Sequence, residues 1–340
     1  MARGPAHLIT PASTGFTMPP EWSPHAACLM AWPTRLDLWG DRFEEARHDY
    51  AVVARAISDF EPVLMVCNPG AAADVHDRCG SAVETLELPI DDSWARDSGP
   101  IFVRDGAGTV AAVKFGFNAW GNRWHPYADD ATMPERIAAH LGMRLFSAPF
   151  ILEGGAILVD GEGTLLTTEQ CLLDANRNPD MTRDEIEQGL KDYLGVTTVV
   201  WLPLGHSLDV GPAGTDGHVD GVAQFLAPGH VLLEAPRDPT ASEYGPGQAN
   251  LERLAVSRDA RGRAIEVTVL DPGPDANVSF ANHYIANGAV IVPTSGAASD
   301  DPVLAFLGSV YPGREIVGVP GATLAYGGGG PHCITQQIPA

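Results

Sequence analysis

"GGGGPHC", near the end of the chain, sets Cys333 behind four glycines, a proline and His332. A cysteine attacks carbon as its thiolate; with an ordinary pKa of about 8.5 it is mostly thiol at neutral pH and needs help from its surroundings. "TDGHVDG" supplies an imidazole, His218, two residues before the carboxylate of Asp220. On an extended segment both side chains would point to one face and meet one ligand. "DDSWARDSG" carries Asp91, Asp92, Trp94, Arg96 and Asp97, and "LEGG" places Glu153 before two glycines. These acids stand among Trp, Gly and Pro rather than lysines, which suits a partly buried pocket better than a solvated charge run. A thiol, an imidazole and several carboxylates match a flat cation rimmed with N–H donors. Guanidinium fits, because carboxylates meet its fork in paired hydrogen bonds. Cys333 would attack the central carbon, His218 would protonate the departing ammonia, and water activated by His218 would hydrolyse the amidino-thioether to a urea. That chemistry needs no metal and no cofactor.

Elements must bring these residues together. "DRFEEARHDYAVVARAISDF" has Phe43, Ala46, Tyr50, Val53, Ala54 and Ile57 at helical spacing, and the apolar "PVLMVC" after it predicts a strand. "TRDEIEQGLKDYLG" opens on a capping box, Thr182 with Glu185, ends at Gly195 and leads into "VTTVVWLP"; "DDPVLAFLGSVYPG" leads likewise into "REIVGVPG". "ILEGGAILVDGEGTLLTT" predicts a hairpin. Five segments share an apolar run, a proline and then a polar or glycine-rich stretch: "LELPIDDSWARDSG", "FSAPFILEGG", "VVWLPLGHSLDVGPAGTDGHVDG", "VTVLDPGPDANVSFANHY" and "IVGVPGATLAYGGGGPHC". Pro89, Pro149, Pro203, Pro272 and Pro320 recur in them at intervals of roughly fifty to seventy residues, a loose repeat period. Asp97, Glu153, His218 with Asp220, and Cys333 each fall just beyond a predicted strand. Five related units could therefore surround one centre, with the last loop closing the ring.

The 340 residues allow one large repeat-built domain or two smaller ones, and 45% hydrophobic with 19% charged residues is an ordinary globular composition. A formal charge of −22 repels nucleic acid and acidic membranes and attracts cations. "MARGPAHLITPAS" lacks the apolar core of a signal peptide, so a cytoplasmic location is expected. The five cysteines are scattered and form no C-x-x-C pair; Cys28, Cys67, Cys79 and Cys171 read as packing residues. The expected partner is a small cationic guanidino compound, with no nucleic acid and no membrane, and a homodimer is compatible with the sequence.

The segments "MPPEWSPHAACLMAWP", "DDSWARDSGPIFV", "KFGFNAWG", "LEGGAILVDGEGTLLTTEQCLLDANRNP", "GHVDG", "YIANGAVIVP" and "GGGGPHCITQQIP" resemble the agmatine deiminase family. This family lies within the guanidine-group-modifying superfamily, which includes arginine deiminases and the bacterial type of peptidylarginine deiminase. The resemblance runs over nearly the whole chain. It implies a five-fold pseudosymmetric α/β propeller, a pentein, as a single domain over 1–340, with the active site on its axis. By motif position Cys333 would be the nucleophile and His218 the acid and base. Asp97 and Asp220 would hold the guanidinium, and Glu153 would assist. Trp94 would line the pocket, Gly329 or Gly330 would give backbone contacts, and Asp92, Asp216 and Asn282 are further candidates for substrate contacts. The implied reaction is agmatine plus water to N-carbamoylputrescine plus ammonia. The chain departs from the family's pattern at Gly330 and Pro331, where Asn-Ile is frequent, and at Ala213 and Gly214, where acids are common. It departs again at His283, where an aromatic residue is usual.

Three other readings stay open. Another guanidine, such as free or peptidyl arginine, would want Arg96, Arg123 or Arg177 for its carboxylate. A zinc hydrolase could use His218, Asp220, His332 and Cys333 as ligands. A non-catalytic propeller could bind a cation.

Overall fold

The computed structural model describes residues 9–211 and 214–340. Ala213 therefore lies outside the described residues. Strands gather into five small sheets. The first holds β1 (His25–Ala31), β2 (Val63–Cys67) and β3 (Val83–Glu87), and the second β4 (Ile101–Arg104), β5 (Val110–Gly116) and β6 (Arg144–Ile151). The third holds β7 (Leu158–Val159), β8 (Thr164–Thr168) and β9 (Thr198–Leu202), and the fourth β10 (Ala223–Ala227), β11 (His230–Glu234) and β12 (Glu266–Leu270). The fifth holds β13 (Tyr284–Ala286), β14 (Ala289–Thr294) and β15 (Glu315–Pro320). The last strand, β16 (Thr335–Pro339), returns to the first sheet and pairs antiparallel with β1, setting Leu29 opposite Gln336.

Each unit repeats one pattern: an antiparallel pair, then a helix, then a strand parallel to the second. Parallel neighbours need such a crossover. The crossover helices are α1 (Phe43–Ser58), α2 (Met133–His140), α3 (Arg183–Leu194), α4 (Tyr244–Val256) and α5 (Asp300–Val310). α3 starts on the expected capping box, with Thr182 and Glu185 bonding each other's backbone N–H, and stops at Gly195 in the left-handed region, φ 69°.

The central strands are unbroken apolar runs because each serves two cores. Val231 and Leu233 of β11 face the core shared with the third unit, while Leu232 faces the fifth. Val290 and Val292 of β14 face the fourth unit, while Ala289 and Ile291 face the first. The same alternation holds in β1, where Cys28 and Met30 face the fifth unit and Leu29 and Ala31 the second. Five apolar cores thus join units one to two, two to three, three to four, four to five and five to one, closing a ring. No helix of the described residues is long and apolar enough to cross a membrane.

Candidate active site

Every unit sends one loop to the centre from the segment just before its first strand. Asp97 precedes β4, Glu153 β7, His218 and Asp220 β10, Asn282 β13, and Cys333 β16. The convergence is tightest around Gly155: a Cβ there would lie 2.6 Å from His218 Nδ1, 2.8 Å from Asp220 Oδ2 and 2.9 Å from Asp97 Oδ1. Glycine leaves that space open. Its own N–H donates to Asp97 Oδ1 at 2.9 Å, and the Trp120 indole donates to Asp97 Oδ2 at 2.9 Å. Trp120 reaches this point from a turn in which Ala119, Trp120 and Asn122 have φ of 51°, 53° and 60°. Non-glycine residues there cost about 1 kcal/mol each, strain the packing must offset.

Cys333 Sγ lies 3.4 Å from Asp220 Oδ2 and accepts from Asn282 Nδ2 at 3.1 Å. Burial, then the charges of Asp220 and Asp97, push the thiol well above its usual range, so without a ligand it stays protonated. His218 sits 3.8 Å from Asp97 Oδ1 and 3.9 Å from Glu153 Oε2, and neither ring nitrogen makes a hydrogen bond among the described residues. Burial works against its charge, yet Asp97 foremost, with Cys171 and Glu153, keeps it protonated well above the ordinary range. Asp97 is raised by burial, eased by His218 and raised further by Asp220 and Glu153. Burial would raise Asp220 too, but His332 and His218 hold it low.

The last strand's approach is crowded. Of the four glycines, Gly328 alone has a left-handed φ, 100°. The others are needed for contact: a Cβ on Gly327 would strike the Trp39 ring at 2.3 Å, on Gly329 Trp94 at 2.6 Å, and on Gly330 Asn282 Oδ1 at 2.7 Å.

Several expectations need correction. "HVD" is not a strand: Val219–Gly221 form a 3₁₀ turn with His218 as its N-cap, so the turn, not period-two alternation, aims both side chains inward. Asp216 does not line the cavity. Its oxygens take Arg177 Nη1 at 2.8 Å, Asn176 Nδ2 at 2.9 Å and Arg123 Nη2, so it stabilises the loop, at φ 66°. Asp92 pairs with Arg35 at 2.8 Å and lines neither of the two cavities that meet at Cys333. His283 is also away from the site, with both ring nitrogens satisfied at 2.7 Å by the Phe280 carbonyl and the Tyr311 hydroxyl.

The arginines considered for a substrate carboxylate are all engaged. Arg177 meets Glu153 at 2.6 Å and the Thr215 carbonyl at 2.8 Å. Arg123 meets Asp216 and the Gly214 carbonyl, and Arg96 meets Glu21 at 3.4 Å and the His332 carbonyl at 3.3 Å. A cavity of about 140 Å³ has Cys333, Asp220, Asn282, Gly329, Gly330, Thr215 and Asp209 in its wall. A second recess, lined by Trp94, Asp97, Trp120 and Trp124, meets it at Cys333. Sequence reasoning missed Asp209, Trp120 and Glu21; "KFGFNAWG" and "MPPEW" were the available signals.

The zinc set named from sequence does not assemble, because His332 bridges Asp220 and Glu21 at 2.8 Å each. A different trio, Glu153, Cys171 and His218, brings ligand atoms within 4.8 Å of one another. Arg177 at 2.6 Å from Glu153 puts a positive charge beside it, which disfavours a dication there.

Comparison with known proteins agrees with this geometry. The model for the Porphyromonas-type peptidyl-arginine deiminase family matches residues 17–339. Agmatine deiminase of Pseudomonas aeruginosa is 40% identical, with 97% of each chain covered. The solved agmatine deiminase of Enterococcus faecalis superposes with a TM-score of 0.92 at 34% identity, covering 98% of each chain. That of C. jejuni gives 0.83 at 26% identity, covering 95% of this chain and 96% of the other. A ring of five ββαβ units, a thiol and imidazole among carboxylates at its centre, and matches along the whole length have one explanation: the chain belongs to the Porphyromonas-type peptidyl-arginine deiminase family.

Proposed function

We propose that the protein, acting as one domain in the cytoplasm, hydrolyses agmatine to N-carbamoylputrescine and ammonia through a covalent amidino-thioether on Cys333. The observation that carries this reading is the charge at the centre. Asp97 and Asp220 flank the reacting thiol, while Arg96, Arg123 and Arg177 are each already paired with an acid or a carbonyl. A substrate with a cation at the reacting end meets carboxylates; one with a carboxylate at the far end finds no unpaired arginine among these three.

The first step follows from electrostatics. Asp220 and Asp97 hold Cys333 protonated, and a guanidinium placed between them removes their net repulsion of the thiolate, so substrate arrival itself lowers the thiol pKa. The thiol proton leaves to solvent, because His218 is already an imidazolium. Sγ attacks the guanidinium carbon, and His218 gives its proton to one NH₂ of the adduct, which leaves as ammonia. Neutral His218 then takes a proton from water as its oxygen bonds to the same carbon. The carbon–sulfur bond then breaks with its electron pair on sulfur, the oxygen's remaining proton passes to that sulfur, and the urea leaves with Cys333 a thiol and His218 an imidazolium again. Glu153, fixed by Arg177, keeps its other oxygen toward His218 and stabilises that charge. Asn282 donates to the sulfur, and Trp94 and Trp120 wall the recess.

Asp209 supports agmatine over other guanidines. Its carboxyl lines the larger cavity, bonded to Thr215 Oγ1 at 3.3 Å, and burial, eased by His218 but reinforced by Asp220, pushes it to about 7. An ammonium at the far end of the substrate would satisfy it. Gly214 could not host an acid, since a Cβ there would fall 1.8 Å from the Asp209 carbonyl oxygen.

Ammonia release from agmatine, arginine, a blocked peptidyl arginine and guanidinobutyrate tests the reading. Agmatine is expected to lead, with no turnover by Cys333→Ala. A lead for either carboxylate-bearing substrate would overturn the substrate, and turnover surviving in the mutant would overturn the covalent route.

A further inference from the structure

Glu21 enters the centre from the segment before β1, and nothing in the reaction above uses it. It is 3% exposed and its carboxylate has three partners: Gln224 Nε2 donates at 2.9 Å, Arg96 Nη1 at 3.4 Å, and His332 Nε2 lies 2.8 Å away. His332 is fully buried, and its other nitrogen, Nδ1, lies 2.8 Å from Asp220 Oδ2. That same Oδ2 is 3.4 Å from Cys333 Sγ. A neutral imidazole has one N–H. With carboxylate oxygens at hydrogen-bond distance from both nitrogens, both must donate, and the ring is an imidazolium. We propose that Glu21 is a positioning residue: by holding His332 doubly protonated, it fixes Asp220 as an oriented carboxylate beside the nucleophile. This rests on the reading of Asp220 as a guanidinium-holding group.

The demand for such a device comes from the site itself. Asp220 faces Asp97 and a sulfur that must become an anion, both of which favour its protonation. A cation on its far side counters them. The groups facing His332 are Glu21 and Asp220, which favour its charge, and Arg96, which opposes it; His283, pushed down to about 4 by burial, is uncharged over the assay range. Glu21 is the partner that serves no substrate, so it can be changed without removing a substrate contact. Its oxygens also tie the first unit to Arg96 of the second and Gln224 of the fourth, so its position is set by three units at once.

The test is the pH profile of kcat/KM on the best guanidine of the panel for the unmutated protein, Glu21→Gln, Glu21→Asp and Asp220→Asn. Glu21→Gln keeps the shape and removes the anion. It is expected to match the unmutated protein near pH 6 and to fall by about tenfold for each unit that the His332 pKa drops into the assay range. Glu21→Asp is expected to restore the profile in part. A profile for Glu21→Gln that is lower by the same factor at every pH means a structural role only and overturns the proposal. Undiminished activity of Asp220→Asn would instead overturn the reading on which it rests. Should Glu21→Gln not fold, imidazole proton resonances of the unmutated protein decide. Two exchange-protected N–H signals from His332 persisting to pH 9 are expected, and one alone overturns the proposal.

Discussion

Two histidines lie fully inside the same ring and are wired in opposite ways. His332 is clamped at 2.8 Å on both nitrogens by Asp220 and Glu21; His218 stands 3.8 and 3.9 Å from its nearest carboxylates and makes no hydrogen bond of ordinary length among the described residues. A group that must give up a proton and take one back cannot be held by two strong bonds that each require it charged. Looseness marks the shuttle and tight clamping marks the fixed charge. The carboxylates repeat the contrast, for Asp216 is saturated by two arginines and an amide, whereas among the described residues the Asp209 carboxylate meets one hydroxyl, at 3.3 Å, and faces the cavity.

If the contrast is functional, His218→Asn loses kcat by about 10²–10⁴-fold, the worth of a general acid and base, while His332→Asn loses less. Steady-state kinetics on folded variants check this, and equal losses would break the comparison. Arg177→Met tests the saturated side. It leaves Glu153 buried without its cation and is expected to destabilise the fold by about 3–5 kcal/mol in chemical denaturation. Asp209→Asn tests the open side, and its sign follows from protonation. A carboxyl with a pKa of about 7 is neutral below that pH and attracts an ammonium only above it. The KM for agmatine should therefore rise as pH falls through 7 in the unmutated protein. In Asp209→Asn it should be about tenfold higher at pH 8, a cost of about 1.4 kcal/mol, and flat with pH. A pH-dependent KM in the variant would assign the titration elsewhere. The smallest effect serves as control: Thr182→Ala removes the α3 cap, costs about 1 kcal/mol and should leave both pH profiles unchanged.

Much of the scaffold was readable because it is local. Apolar spacing marks α1, the reciprocal Thr182–Glu185 bonds are three residues apart, and the strand runs follow from service to two cores. Four of the five inward loops were readable because Asp97, Glu153, His218 with Asp220, and Cys333 each follow an apolar run and a proline; the loop of Asn282 has the run and the proline without a nucleophile, acid or base of that set. The wiring was not. Glu21 and His332 are 311 residues apart, and no local periodicity links them. The shared assignment of Asp92 and Asp216 as substrate contacts failed for a common reason. A carboxylate's direction depends on which arginine reaches it first, and Arg35, Arg123 and Arg177 come from distant segments.

Pairing of β16 with β1 also orders events in time. Cys333 and His332 are translated after every other residue of the centre, and their strand docks against the chain's first strand. A partly synthesised chain can therefore hold four complete units and four inward loops while lacking a nucleophile and the bridge that orients Asp220. The reactive thiol acquires its environment only when the ring closes, so the connectivity keeps an incomplete enzyme chemically silent.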